Sequence, residues 1–142
     1  MCNWYSISRT QLTESYIRKN KKYINWPLIS QHSILSESFI RKFKNKVDWV
    51  AISMNQKLSE EFIKEFEDSL SWDWISRNQI LSEEFILEFS WRLRISLVSL
   101  YQQLSDEFIL QNQSIIDMQM IMKNKKIQLS DDVLLMIQFM KL

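Results

Sequence analysis

Glycine is absent from this chain of 142 residues. Phosphate-cradling loops and dinucleotide-binding turns need glycine for positive φ and close backbone approach, so neither is expected in its usual form. With a single proline as well, little interrupts a helix, and sheet architectures built on glycine turns are disfavoured. Cys2 is the only cysteine, which excludes a disulfide framework or a thiolate zinc site within one chain. A reducing intracellular compartment is the natural reading of that usage. His32 is the only histidine. Any Cys–His or His–carboxylate arrangement needs it, and it occupies an ordinary helical position, so a structural or solvated role is expected. No apolar run reaches the roughly 18–20 residues of a membrane span. The opening "MCNWYSISRT" lacks a basic start followed by an apolar stretch, so no secretory signal is expected.

What is present is bulk and repetition. Hydrophobic residues make up 46% and charged residues 25%, which fits a packed domain rather than a disordered chain. The length suits one domain spanning 1–142. Leu-Ser or Leu-Thr pairs begin at Leu12, Leu35, Leu58, Leu81 and Leu104, each 23 residues after the last, and Leu129 follows after 25. Such a period marks a stack of supersecondary units.

Counting from that leucine as zero, position four holds Tyr16, Phe39, Phe62, Phe85 and Phe108. Position five holds Ile17, Ile40, Ile63, Ile86 and Ile109; position eight holds Phe43, Phe66 and Phe89; position twelve holds Ile24, Val47, Leu70 and Leu93. These offsets share one face of a 3.6-residue helix. Ser36, Ser59, Ser82 and Ser105 stand where a helix N-cap is needed, and the acids that follow suit the positive end of the helix dipole. The stretches "DWVAISMNQ" (48 to 56) and "SWDWISRNQ" (71 to 79) read as a second, shorter helix. Asn25, Asp48 and Ser71 are its N-cap residues, and Pro27 falls in its first turn, where a missing N–H does little harm. Without glycine, Asn45, Asn55 and Asn78 are the expected residues for chain reversal.

The expected fold is therefore all-α: a right-stacked helical-hairpin repeat solenoid of about five 23-residue helix–turn–helix units plus a leading and a closing helix. Position eight becomes Asn20 in the first unit and Asn112 in the fifth, as suits repeats that meet solvent.

Chemistry is sparse. The carboxylate pairs Glu60/Glu61, Glu83/Glu84 and Asp131/Asp132 recur once per helix start, which dipole complementation explains better than acid–base work. Ser30, Ser53, Ser76 and Ser99 recur at position eighteen with no periodic base beside them, so close helix approach is their expected role. Gln56, Gln79 and Gln102 at position twenty-one are expected to bind the turn leading into the next unit. No catalytic residue, metal ligand or cofactor is assigned, and an enzyme is not expected.

Two features point outward. Residues 1–57 hold ten Lys or Arg against three acids, a net of +7, whereas residues 58–142 hold eight against fourteen, a net of −6. Arg18 and Arg41 share position six, Lys19 and Lys42 position seven, Lys21 and Lys44 position nine, while position seven turns acidic at Glu65 and Glu88. This basic ladder reads as a solvated face, as a surface for an acidic protein partner, or as a nucleic-acid stripe. Tyr5 and Tyr23 lie nearby, and Tyr16, in the core register, is not expected to be free for base stacking. Trp74 and Trp91 fall outside the repeated stripe and are further partner-binding candidates. The second feature is the C-terminal stretch, apolar on more than one face. There Met118, Met122, Leu135, Met136, Phe139 and Met140 are expected to form a homodimer or docking interface.

The phrases "LSEEFIKEF" and "SWDWISRNQ" resemble a short α-helical repeat of proteins from large DNA viruses and phages, over roughly residues 4–128. The resemblance implies a virus-associated, non-enzymatic helical array and transfers no catalytic residue. The corresponding functional expectation is a viral or phage protein in the host cytoplasm that binds and sterically blocks a host factor. A defence component, as for an anti-CRISPR inhibitor, suits this size and lack of cofactors. The alternatives are a nucleic-acid-binding protein using the basic half and a self-assembling structural repeat.

Overall fold

The computed structural model describes residues 3–140, so Cys2 lies outside the description. Every regular element among the described residues is an α-helix. They are α1 (Trp4–Ser8), α2 (Glu14–Asn20), α3 (Trp26–His32), α4 (Glu37–Lys42), α5 (Trp49–Asn55), α6 (Glu60–Glu65), α7 (Trp72–Asn78), α8 (Glu83–Glu88), α9 (Ile95–Tyr101), α10 (Asp106–Gln111), α11 (Met118–Ile121) and α12 (Asp131–Phe139). A leading helix, five pairs and a closing helix are what the 23-residue period predicts. The chain forms two compact units, Met1–Ser71 and Trp72–Leu142. In the first, α3 packs on α1 and α5 on α3. In the second, α9 packs on α7, α11 on α9 and α12 on α10. No described helix is long and apolar enough to cross a membrane.

The helices are too short to be stable alone, so caps and packing must hold them. Ser36, Ser59, Ser82 and Ser105 each accept a hydrogen bond from the backbone N–H of the phenylalanine three residues on, at 3.1–3.2 Å. Asn25, Asp48 and Asp117 cap their second helices in the same way. The first acid of each start does more than complement the dipole. Glu14, Glu37 and Glu83 accept from the N–H of the next repeat's cap serine at 2.6–2.7 Å, so one repeat's helix start fastens the following one.

The position-eighteen serine is a rung between repeats. Ser53 Oγ is fully buried. It donates to the Trp49 carbonyl at 2.7 Å and accepts from Ser71 N–H at 2.9 Å. Ser8 and Ser30 do the same for Asn25 and Asp48, and Ser76 for Arg94. Glutamine adds a clamp. Gln56 Nε2 donates to the carbonyls of Ser30 and Ser33, and its Oε1 accepts from Leu35 N–H at 2.9 Å. The bonded turn is thus the one leading into the glutamine's own repeat, not into the next. Gln102 repeats the clamp in the second unit, and Asn124 repeats its donor half, bonding the carbonyls of Ser99 and Gln102.

This clamp also explains how the chain turns without glycine. Asn55 and Asn78 are the last residues of α5 and α7 rather than turn residues. Residues Ser33, Gln56 and Gln102 leave the helix in extended geometry, with φ between −99° and −86°. No left-handed residue is needed at these helix ends, because a side-chain amide satisfies the freed backbone groups.

In three successive repeats the core holds an aromatic triplet. Trp26 packs with Phe39 and Phe43, Trp49 with Phe62 and Phe66, and Trp72 with Phe85 and Phe89, with centroids 4.6–6.5 Å apart. Phe39, Phe62 and the position-five isoleucines are fully buried. Asn20 and Asn112, which replace the outer phenylalanine, turn back onto the carbonyls of Tyr16 and Phe108.

Candidate binding surface

The basic ladder divides by chemistry. Its two arginines belong to the framework. Arg18 pairs with Glu14 at 3.0 Å and lies over the Phe39 ring. Arg41 pairs with Glu37 and, at 2.7 Å, with Glu65, and covers the Phe62 ring. A guanidinium that is planar and weakly hydrated suits such a lid over an aromatic core. The lysines are different. Lys19, Lys21, Lys42 and Lys44 are all exposed.

Lys21 and Lys42 come together with two residues outside the ladder, Lys22 and Lys46. The four line an open groove of about 620 Å³ with Ile24, Trp26 and Phe43. None of the four forms an ion pair among the described residues; Lys46 Nζ lies over the Trp26 ring at 6.0 Å. Lys44 lies in the register-equivalent groove one repeat on, of about 360 Å³, with Asn45, Trp49, Glu65, Phe66 and Ser69. There a carboxylate offsets the single lysine. The indoles differ as well: Trp49 Nε1 donates to the Lys44 carbonyl at 3.1 Å, whereas the Trp26 N–H has no acceptor among the described residues.

Lys22 and Lys46 had a signal in the sequence. Each departs from its register mates, Asn45 and Ser69, by the same criterion that singled out Trp74 and Trp91. Tyr16 requires a correction. It is 39% exposed, whereas Phe39, Phe62, Phe85 and Phe108 at the same register position are buried. Tyr5 and Tyr23 are exposed too, Tyr23 stacking on Trp4 at 5.3 Å.

In the second unit Trp91 is 71% exposed, with the Arg92 guanidinium 4.7 Å from its ring centre. Trp74 is half-buried and shares Arg77 with Tyr101. Arg94 pairs with Asp73 at 2.8 Å, and that hydrogen bond, then the charge, raises the Arg94 pKa above its ordinary value. A smaller groove of about 350 Å³ lies against Leu100 and Tyr101, bordered by Lys123, Lys125 and Lys126.

Of the C-terminal residues, Met118 is only 4% exposed and offers nothing to a partner. It occupies the tryptophan slot of its repeat and so belongs to the core. Met136 is half-buried, while Met122, Leu135, Phe139 and Met140 are exposed, Phe139 at 79%. Leu134 is exposed as well. Among the described residues no group of three or more His, Cys, Asp or Glu is placed to hold a metal ion.

No family model, curated protein or solved structure matches this chain. Its class rests on its own repeat: an all-α helical-repeat protein with 23-residue helix pairs.

Proposed function

We propose that this chain is a non-catalytic protein-binding module whose N-terminal unit engages an acidic surface of its partner. The observation that carries the reading is the gathering of Lys21, Lys22, Lys42 and Lys46 around one groove with no acid partner among the described residues. Like charges held together repel one another and raise the local positive potential, an arrangement that an anionic partner relieves. The repeat resemblance adds a setting: a viral or phage protein that covers a host factor, such as a defence component, and blocks it sterically. The test compares partner capture from host extract by the wild type and by Lys21→Glu/Lys42→Glu, with helicity measured for both. Capture lost in the variant at unchanged helicity is the expected result. Equal capture by both proteins contradicts the reading.

A second reading, single-stranded nucleic acid, is favoured by the exposure of Tyr5, Tyr16 and Tyr23 in the same lysine-rich unit. Base stacking on aromatic rings along a basic groove is how such strands are held. Its signature is a steep fall in oligonucleotide affinity between roughly 50 and 200 mM salt. A third reading, self-association, rests on the apolar residues exposed on α12 and at its C-cap. Leu134, Leu135, Phe139 and Met140 expose on the order of 400 Å² there, so two copies would bury roughly 800 Å², at the weak end of specific contacts.

A further inference from the structure

We propose that the groove between Lys21/Lys22 and Lys42/Lys46 takes an acidic peptide segment carrying one apolar side chain, the carboxylates on the lysines and the apolar group on the floor. This rests on the protein-binding reading above and narrows it to one site and one kind of ligand.

The groove has cationic walls and an apolar floor of Ile24, Trp26 and Phe43. Ammonium groups are point charges without the fork geometry of arginine, so they select for charge and tolerate varied carboxylate positions. The Trp26 N–H has no acceptor among the described residues, whereas its counterpart in Trp49 is committed to Lys44. Purely electrostatic recognition would not need the floor. An apolar side chain laid on it gains burial that an all-acidic segment cannot.

The same floor argues against a nucleobase. The Trp26 ring already packs against Phe43 at 5.0 Å and lies beneath Lys46, so it offers an edge rather than a free face. Stacking needs a face. The exposed tyrosines do not line this groove.

The neighbouring repeat supplies the control. It has the same tryptophan, the same phenylalanine and a lysine at the same place, but Asn45, Glu65 and Ser69 stand where Lys22, Lys42 and Lys46 stand. The fold therefore accepts either lining. The test variant is Lys22→Asn/Lys42→Glu/Lys46→Ser, which copies the second lining into the first groove. Lys42→Glu also gives Arg18 the kind of partner that Glu65 gives Arg41, so folding is retained; a circular dichroism spectrum and melting curve verify this.

Fluorescence anisotropy at low salt then reads three probes: a short labelled peptide of Asp and Glu around one central Leu, its all-acidic analogue, and oligo-dT. The expected result is that the Leu peptide binds the wild type at least roughly tenfold tighter than it binds the variant and tighter than its analogue binds the wild type. Peptide binding that ignores the three substitutions, or an analogue that binds equally well, overturns the groove proposal while leaving the acidic-partner reading standing. Oligo-dT binding tighter than either peptide, or no binding of any peptide, overturns both.

Discussion

The grooves at Trp26 and Trp49 are built from the same parts and lined with different charges. Both rest on an aromatic triplet, both adjoin a buried serine rung, and both follow a serine-capped helix. One gathers four lysines and the other sets one lysine against Glu65. Within a repeat, positions that recur unchanged are held by packing and hydrogen bonds, while positions that differ are released from the fold. The difference between the two grooves is therefore informative about binding in a way that the shared parts are not.

The largest expected effect comes from breaking what the grooves share. Phe62→Ala removes a fully buried ring that serves the Trp49 triplet, and should cost about 3–5 kcal/mol in chemical denaturation. An effect below about 1 kcal/mol would mean that the triplet is not the core. Next is Gln56→Ala. It strands the carbonyls of Ser30 and Ser33 and the N–H of Leu35, with an expected loss of about 2–4 kcal/mol and faster amide exchange at Leu35. Ser53→Ala leaves the half-buried Ser71 N–H without its acceptor, at a cost of about 1–3 kcal/mol.

Smaller stability effects sharpen the contrast itself. Asn45→Lys/Glu65→Lys/Ser69→Lys builds the lysine lining into the second groove. Stability should fall by less than about 1 kcal/mol, since the lost Arg41–Glu65 pair is solvent-exposed. Binding of an acidic peptide with one apolar residue should then show a second site by titration calorimetry. The smallest effect concerns the other end of the chain. Leu135→Asp/Phe139→Asp should leave the fold intact and abolish any concentration-dependent increase in mass seen by sedimentation at high micromolar protein.

Most of the fold was legible because it is written five times. The period, the cap serines and the Phe–Ile stripe need only counting and helix geometry. What the period does not disclose is which neighbour a recurring side chain meets. Ser53 and Gln56 stand out as periodic, yet only the packed chain shows one bonding forward to Ser71 and the other back to Leu35. The same gap affected the surface. Arg18 and Arg41 look like free charge in a ladder but are occupied by Glu14, Glu37 and Glu65 and by the rings beneath them. Tyr16 follows the core register yet stays 39% exposed, and Met118 looks like a sticky end but fills a tryptophan slot. Lys22 and Lys46 were visible only as breaks in the repeat, and a break does not say what it faces.

The most direct measurement is an NMR titration that follows the six tryptophan indole N–H resonances as the acidic, leucine-bearing peptide is added. If the lysine-lined groove is the recognition site, the Trp26 signal moves with peptide while that of Trp49, one repeat away and tied to Lys44, stays in place. Movement centred on Trp91, or equal movement of both indoles, contradicts it.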